Sequence, residues 1–241
     1  MPFTLAKSLE KRHLLVQPSD LDFLILSCAI LYCFCYIFYT IRTKRDRFLA
    51  GPIDLMFGNL AYEIYYPFIV ASSKFQLAGC LVWFLLDVRF TYIAIKYACP
   101  LEKRRRVALR SVLGIIAGVA FLRTLGQYLP DDGEQVTAYW TGWFLELPVG
   151  WTSVLYLWKH GHTKGQSLEI WVARFSGILT AISVFIWRYL NVPQNWAYVG
   201  SWPSIALVTV TIIPEVVYPF AFIRAERKMI EKEKEEKEKI P

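Results

Sequence analysis

The chain lacks paired cysteines, and this absence excludes two common ways of stabilising a small fold. Five cysteines occur among 241 residues, and all of them lie within or at the ends of apolar segments. No loop carries a cysteine pair, and Cys33 and Cys35 do not have the CxxC spacing. We therefore expect neither a disulfide framework nor a zinc site. The five are Cys28, Cys33, Cys35, Cys80 and Cys99.

The chain also lacks the 3.6-residue alternation of polar and apolar positions that marks the helices of a soluble protein. Hydrophobic residues make up 55% of the chain and aromatic residues 16%, and they form long blocks. Helices that are apolar on all sides must face lipid as well as each other. Residues 1–20 are polar and the first apolar run is long enough to span a bilayer, so we expect no cleavable signal peptide. The composition predicts an integral membrane protein.

Seven apolar segments are long enough to cross a bilayer core of about 30 Å, which needs roughly 20 residues per crossing. We predict an all-α fold, a polytopic membrane bundle of seven transmembrane helices that occupies residues 1–225. A cytosolic tail rich in Glu and Lys follows at residues 226–241, and we expect a solvated helix there. The predicted spans are Leu21–Ile41, Pro52–Ser72, Phe75–Ala98, Val107–Tyr128, Val136–Trp158, Leu168–Leu190 and Trp202–Arg224.

The charges of the connecting loops predict the orientation of the bundle. Arg and Lys cluster in the first, third and fifth loops and after the last span, whereas loop residues 131–134 are acidic and residues 191–201 carry no charge. By the positive-inside rule, this alternation places the N-terminus on the lumenal side and the C-terminus in the cytosol. The membrane is expected to be that of the endoplasmic reticulum. The basic residues within 7–12 run against that rule. Attraction to anionic headgroups accounts for the net charge of +7, so we expect membrane lipid and no nucleic acid as a partner.

Ionisable residues at membrane depth are the most informative positions, because they are costly there and usually serve a function. Glu63 lies in the second span, Asp87 and Arg89 in the third, Glu146 in the fifth and Glu215 in the seventh. Asp87 and Arg89 are two residues apart, so they point to different sides of one helix and do not pair. A buried interhelical network is the structural alternative to a functional site.

Two spans share the pattern Glu-x-x-Tyr-Pro-Phe, which begins at Glu63 in the second span and at Glu215 in the seventh. In each, the tyrosine (Tyr66 or Tyr218) lies on the same helix face as the glutamate. The proline four residues after the glutamate cannot donate to the glutamate carbonyl. We expect a kink there and a carbonyl that needs another donor. The repetition favours a cavity between these two helices.

A carboxyl group buried in apolar surroundings tends to stay protonated, and it can then donate a proton to a substrate that water does not reach. Asn59, one turn before Glu63, is positioned to orient that acid. Protonation of an epoxide or an alkene creates a carbocation, which aromatic faces stabilise. Taken singly, an aromatic residue in a span more often serves packing. The aromatic candidates are Tyr62, Tyr65, Tyr66, Trp83, Trp140, Trp143, Trp151 and Tyr218.

The second and seventh spans resemble the small integral-membrane meroterpenoid cyclases of fungi, the pyripyropene-type terpene cyclase family. That family carries an Asn-x-x-aromatic-Glu motif in its second span, which here is Asn59-Leu-Ala-Tyr62-Glu63. Its second acidic residue, usually aspartate, lies in the last span, where this chain has Glu215. The resemblance implies a cofactor-free reaction. An acid protonates the terminal epoxide of a prenylated substrate, a cation cascade closes rings, and a base removes the last proton.

The residue positions and the resemblance together predict roles for individual residues. Glu63 and Glu215 are expected to be catalytic, and the aromatic candidates are expected to stabilise the cation. The chain has no DDxxD, NSE or DxDD motif, and Asp131-Asp132 lacks further carboxylates, so we expect no metal site. The expected partner is a hydrophobic epoxyprenyl substrate, without an obligate protein partner. Supporting roles fall to Asn59, Asp87, Arg89, Tyr66 and Tyr218.

The main alternative is a seven-helix proton-coupled or small-solute transporter. Glu63 and Glu215 would then bind a proton or a solute near the bilayer midplane, and their oppositely directed spans would suit an inverted repeat. Pro193-Gln194 is a weak indication of such a protein, because the dipeptide lies in a loop. A receptor is disfavoured, since no Asp-Arg-Tyr follows the third span and the seventh has no Asn-Pro-x-x-Tyr.

Overall fold

A computed structural model describes residues 18–70, 74–129 and 136–238, and in these ranges the chain is helical and has no strand. Two helices continue into short π-helical segments, Tyr66–Val70 after α2 and Ala94–Ala98 after α3. A 3₁₀ turn, Ala197–Gly200, joins the two last helices. The helices are α1 Pro18–Asp46, α2 Asp54–Tyr65, α3 Lys74–Ile93, α4 Leu101–Tyr128, α5 Val136–His160, α6 Leu168–Asn191, α7 Pro193–Trp196 and α8 Trp202–Glu238.

The predicted all-α fold is confirmed for the described part of the chain. Four of its helices are long and apolar enough to cross a membrane, and these stretches are Asp20–Asp46, Leu101–Tyr128, Leu168–Asn191 and Trp202–Lys232. The other three predicted spans coincide with α2, α3 and α5. The count of seven crossings stays a prediction. The charged residues within 7–12 and 131–134, residues 71–73 and the last three residues of the tail lie outside the described residues.

Six of the described helices form a ring around the interior of the bundle. Going round, α1 packs against α6, α6 against α8, α8 against α5, α5 against α2, α2 against α3, and α3 against α1. Helix α4 packs on the outer side of α2. At that contact a Cβ on Gly118 would lie only 2.6 Å from the Cβ of Ala61, so a glycine is required for this close approach.

The prolines of α2 and α8 have different structural effects. At Pro67 the α-helix gives way to the π-helical segment, whereas α8 runs unbroken through Pro214 and Pro219. The two carbonyls that these prolines release in α8 accept hydrogen bonds from tryptophan indoles. Trp151 Nε1 donates to the Val210 carbonyl at 3.1 Å, and Trp171 Nε1 donates to the Glu215 carbonyl at 2.9 Å. The expectation that such a carbonyl needs another donor is confirmed in α8.

Trp171→Phe should destabilise the protein, because it leaves the Glu215 carbonyl without a donor while keeping a ring between Phe175 and Tyr218. We expect a loss of about 1–3 kcal/mol in the free energy of unfolding, the usual cost of an unpaired buried polar group. The measurement is the thermal unfolding midpoint in detergent. Trp158→Phe is the matched control, because that side chain is 55% exposed. Equal unfolding midpoints for the two variants would contradict a stabilising role for the hydrogen bond from Trp171 to the Glu215 carbonyl.

Candidate active site

Two adjoining cavities occupy the interior of the ring. The larger, which we call the aromatic cavity, has a volume of about 280 Å³ and lies among α1, α2, α3, α5 and α6. The smaller, which we call the loop-side cavity, measures about 100 Å³ and is bounded at one end by loop residues 49–52. Both are lined by Tyr32, Tyr36, Asn59 and Glu146, so they share one wall. The rings of the aromatic cavity are Tyr32, Tyr36, Tyr62, Trp83, Tyr139, Trp143 and Phe185.

Glu63 lies on the wall of the aromatic cavity and is 7% exposed. The Tyr36 hydroxyl on α1 donates a hydrogen bond of 2.9 Å to its Oε1. Its Oε2 is buried and has no hydrogen-bond partner among the described residues. One carboxyl oxygen is therefore held in place, while the other is buried without a protein partner on a residue that lines the cavity. An oriented carboxyl group with one unpaired oxygen is compatible with proton donation to a bound substrate.

Asn59 lines both cavities, one turn before Glu63, as the motif places it. It makes no hydrogen bond to Glu63, and the residue that orients Glu63 is Tyr36. The sequence argument missed Tyr36, although a signal for it exists. Cys28, Tyr32 and Tyr36 recur every four residues along α1, and all three line the aromatic cavity.

Glu215 lies in a buried ion pair with Arg174 of α6, and each is at most 2% exposed. The guanidinium binds both carboxylate oxygens, with Nε donating to Oε1 and Nη2 to Oε2, each at 3.0 Å. Its Nη1 donates to the Tyr39 hydroxyl at 2.5 Å and to the Ser153 hydroxyl at 3.2 Å. Arg174 lines the loop-side cavity, whereas Glu215 lines neither cavity. The structure therefore does not bring Glu215 and Glu63 together in one cavity.

The supporting residues are distributed among different environments. The Tyr66 hydroxyl is 3.1 Å from that of Thr141, and the Tyr218 hydroxyl donates to the Ser167 carbonyl at 3.3 Å. Asp87 is 1% exposed and lines the loop-side cavity, and its Oδ2 has no hydrogen-bond partner among the described residues. Arg89 is on the exposed side of α3, so the two charges of this helix do point to different sides.

Six aromatic candidates remain besides Tyr66 and Tyr218, and three of these six, Tyr62, Trp83 and Trp143, line the aromatic cavity. The other three occupy different places. The Tyr65 hydroxyl lies against Gly126 of α4, Trp140 faces a groove between α4 and α5, and Trp151 donates to the Val210 carbonyl inside α8. The sequence argument missed the rings of α1 and α6, and also Tyr139, which lies one turn before Trp143 on α5.

Comparisons with known proteins match this chain to one family. The family model for Pyr4-like transmembrane terpene cyclases matches residues 11–228. The Pyr4-family terpene cyclase mfmH of Annulohypoxylon moriforme is 28% identical over 216 residues, which cover 86% of this chain and 87% of that protein. Terpene cyclase ascF of Acremonium egyptiacum is 23% identical over 80% of this chain and 77% of its own length. Asnovolin H synthase nvfL of Aspergillus novofumigatus is 26% identical over 88% of each chain.

No solved structure matches the chain. The family match confirms the resemblance inferred from the Asn59–Glu63 motif and Glu215, and it does not favour the transporter alternative. It also agrees with the apolar helices that make this an integral membrane protein. The chain belongs to the Pyr4-like transmembrane terpene cyclase family and is an enzyme that cyclises terpenoids.

Proposed function

We propose that this enzyme protonates the terminal epoxide of a prenylated, meroterpenoid-type substrate with Glu63 and guides the resulting carbocation to a cyclic product. The observation that carries the proposal is the Glu63 carboxyl group. Its Oε1 is held by Tyr36, and its buried, unpaired Oε2 belongs to a residue that lines the aromatic cavity. A carboxyl group in this setting can remain neutral and donate a proton out of contact with bulk water.

The chemistry needs only the atoms of the substrate and one proton. The Oε2–H group of Glu63 protonates the epoxide oxygen, the carbon–oxygen bond breaks, and a neighbouring alkene attacks the electron-poor carbon. The oxygen becomes a hydroxyl group, successive alkenes close rings, and loss of a proton from carbon ends the cascade. The product is an isomer of the substrate. The faces of Tyr62, Trp83 and Trp143 stabilise the passing cation.

Glu215 fits a positioning role better than a proton-transfer role. Both of its oxygens already accept hydrogen bonds from Arg174, and the Arg174 guanidinium also lies 5.5 Å from the centre of the Tyr218 ring. By binding Arg174, Glu215 holds the guanidinium side chain at the wall of the loop-side cavity. The predicted catalytic role of Glu215 stays a prediction. The ion pair supports a role in which Glu215 acts through Arg174.

The reaction is tested with membranes that contain the overproduced enzyme. They are incubated with a resorcinol that carries a terminally epoxidised farnesyl chain, and products are separated by chromatography and mass spectrometry. We expect a new compound of unchanged mass that has lost alkene signals, and none with membranes that lack the enzyme. Uptake of the substrate without any isomeric product would favour the transporter and overturn the proposal.

We further propose that the enzyme crosses the endoplasmic reticulum membrane seven times, with a lumenal N-terminus and a cytosolic C-terminus. The four long apolar helices and the place of α2, α3 and α5 in or beside the same ring support this count, and the basic loops support the orientation. A glycosylation acceptor tag should be modified at the N-terminus and unmodified at the C-terminus. The same modification state at both ends would require an even number of crossings and refute the seven-span arrangement.

A further inference from the structure

Two carboxyl groups that line the loop-side cavity, those of Asp87 and Glu146, each have one oxygen without a hydrogen-bond partner among the described residues. These oxygens, Asp87 Oδ2 and Glu146 Oε1, are both buried. Leaving such atoms unpaired is costly, so most buried polar groups in proteins are satisfied by protein or by ordered water. Asp87 and Glu146 both line this cavity, so ordered water inside it is the partner within reach of their side chains.

The cationic side chain of this cavity, Arg174, already uses four of its five N–H donors. Arg174 donates hydrogen bonds to Glu215, Tyr39 and Ser153, and it forms no direct ion pair with Asp87 or Glu146. The cavity is therefore not built to bind an anion. Water suits it, because a buried water needs about three polar partners and a cavity of this size, about 100 Å³, holds several of them. Thr152 and Ser153 line the same walls.

The position of the cavity relative to Glu63 suggests what these waters do. Tyr36 lines the loop-side cavity together with Asp87, and its hydroxyl group donates a hydrogen bond to Glu63 Oε1. Glu146 lines both cavities, so its carboxyl group borders the substrate space on one side and the loop-side space on the other. Glu146, Asp87 and Tyr36 thus line one cavity, and the Tyr36 hydroxyl connects that cavity to Glu63 by a hydrogen bond.

We propose that the loop-side cavity is a hydrated path that returns the proton of each catalytic cycle from Glu146 to Glu63, with Asp87 as a carrier. The inference rests on the proposed function, in which Glu63 ends each cycle as a carboxylate. The Glu146 carboxylate accepts the proton released from carbon when the cascade ends. That proton passes through water to Asp87, and Asp87 protonates Glu63 Oε1 through the Tyr36 hydroxyl. Rotation of the carboxyl and hydroxyl groups then restores the Oε2–H group of Glu63 and its hydrogen bond from Tyr36. One proton leaves Glu63 and one returns, so no net proton is consumed.

The path predicts a difference between the first turnover and later ones in Asp87→Asn. With enzyme in excess of the epoxyfarnesyl resorcinol, each Glu63 acts once and is already protonated, so the rate should match that of wild type. With substrate in excess, Glu63 must be reprotonated, and the steady-state rate should fall about tenfold or more. Asp54→Asn is the matched control, because Asp54 pairs with Arg110 at the outer surface, and both rates should be unchanged.

Other results would overturn the inference. A merely structural role of Asp87 would slow the first turnover and the steady state equally, and an idle Asp87 would slow neither. If Asp87→Asn does not fold, the solvent isotope effect of the wild-type enzyme is measured in D₂O. A return path makes the effect on the rate larger in the steady state than in the first turnover. Equal isotope effects would reject the path. The proposed function has its own contradicting results. These are the absence of any isomeric product from the wild-type enzyme, or an unchanged first-turnover rate in Glu63→Gln.

Discussion

Glu63→Gln should abolish cyclisation and leave the protein folded. The amide keeps the size of the side chain and the acceptor oxygen that Tyr36 binds, but it has no proton acidic enough to open an epoxide. General acid catalysis of this kind contributes about 10²–10⁴-fold to a rate. We expect at least that loss in product formation, because the carbocation has no other origin once the acid is gone. The measurement is the amount of isomeric product formed from the epoxyfarnesyl resorcinol per unit of folded enzyme.

Two controls make this prediction specific to Glu63. Glu169→Gln carries out the same chemical change at an exposed position near the start of α6, and its activity should equal that of wild type. Elution of Glu63→Gln as a monodisperse species in detergent shows that the fold is intact. Wild-type turnover by folded Glu63→Gln would refute the assignment of Glu63 as the initiating acid, whatever the fate of other variants.

Arg174→Leu should cause the largest loss of stability of any single change considered. It leaves the Glu215 carboxylate, 1% exposed, without its only salt-bridge partner in the described part of the chain. Removal of one partner of a buried ion pair typically costs about 3–5 kcal/mol, because the remaining charge is uncompensated. The expected result is a strongly lowered thermal unfolding midpoint in detergent or a sharply reduced yield of folded protein.

The origin of this loss can be tested with two further variants. The double variant Arg174→Leu/Glu215→Leu removes both charges, and it should regain much of the stability that the single variant loses. Arg110→Leu removes the arginine of a surface pair with Asp54, whose side chain is 46% exposed, and it should cost about 1 kcal/mol or less. A double variant no more stable than Arg174→Leu would show that packing, and not the uncompensated charge, dominates at this site.

The sequence by itself determined those properties that depend on neighbours along one helix. Long apolar blocks predict helices that are apolar all round, because no other regular structure satisfies its backbone within one segment in lipid. Two-residue spacing placed Asp87 and Arg89 on different sides of α3, and Pro219 predicted that the Glu215 carbonyl would need a donor. The choice of Glu63 as the acid likewise required only the local Asn59–Glu63 motif and the resemblance to a known family.

Only the tertiary structure decided which groups meet across helices. Arg174 and Glu215 are 41 residues apart, Tyr36 and Glu63 are 27 apart, and no local pattern couples either pair. The repeated Glu-x-x-Tyr-Pro-Phe motif suggested two equivalent carboxyl groups, yet one lines the aromatic cavity and the other is bound by a guanidinium. The reason is physical. The rotation of each helix about its axis is set by packing against its neighbours, and that rotation decides whether a side chain faces a cavity, a charge or lipid.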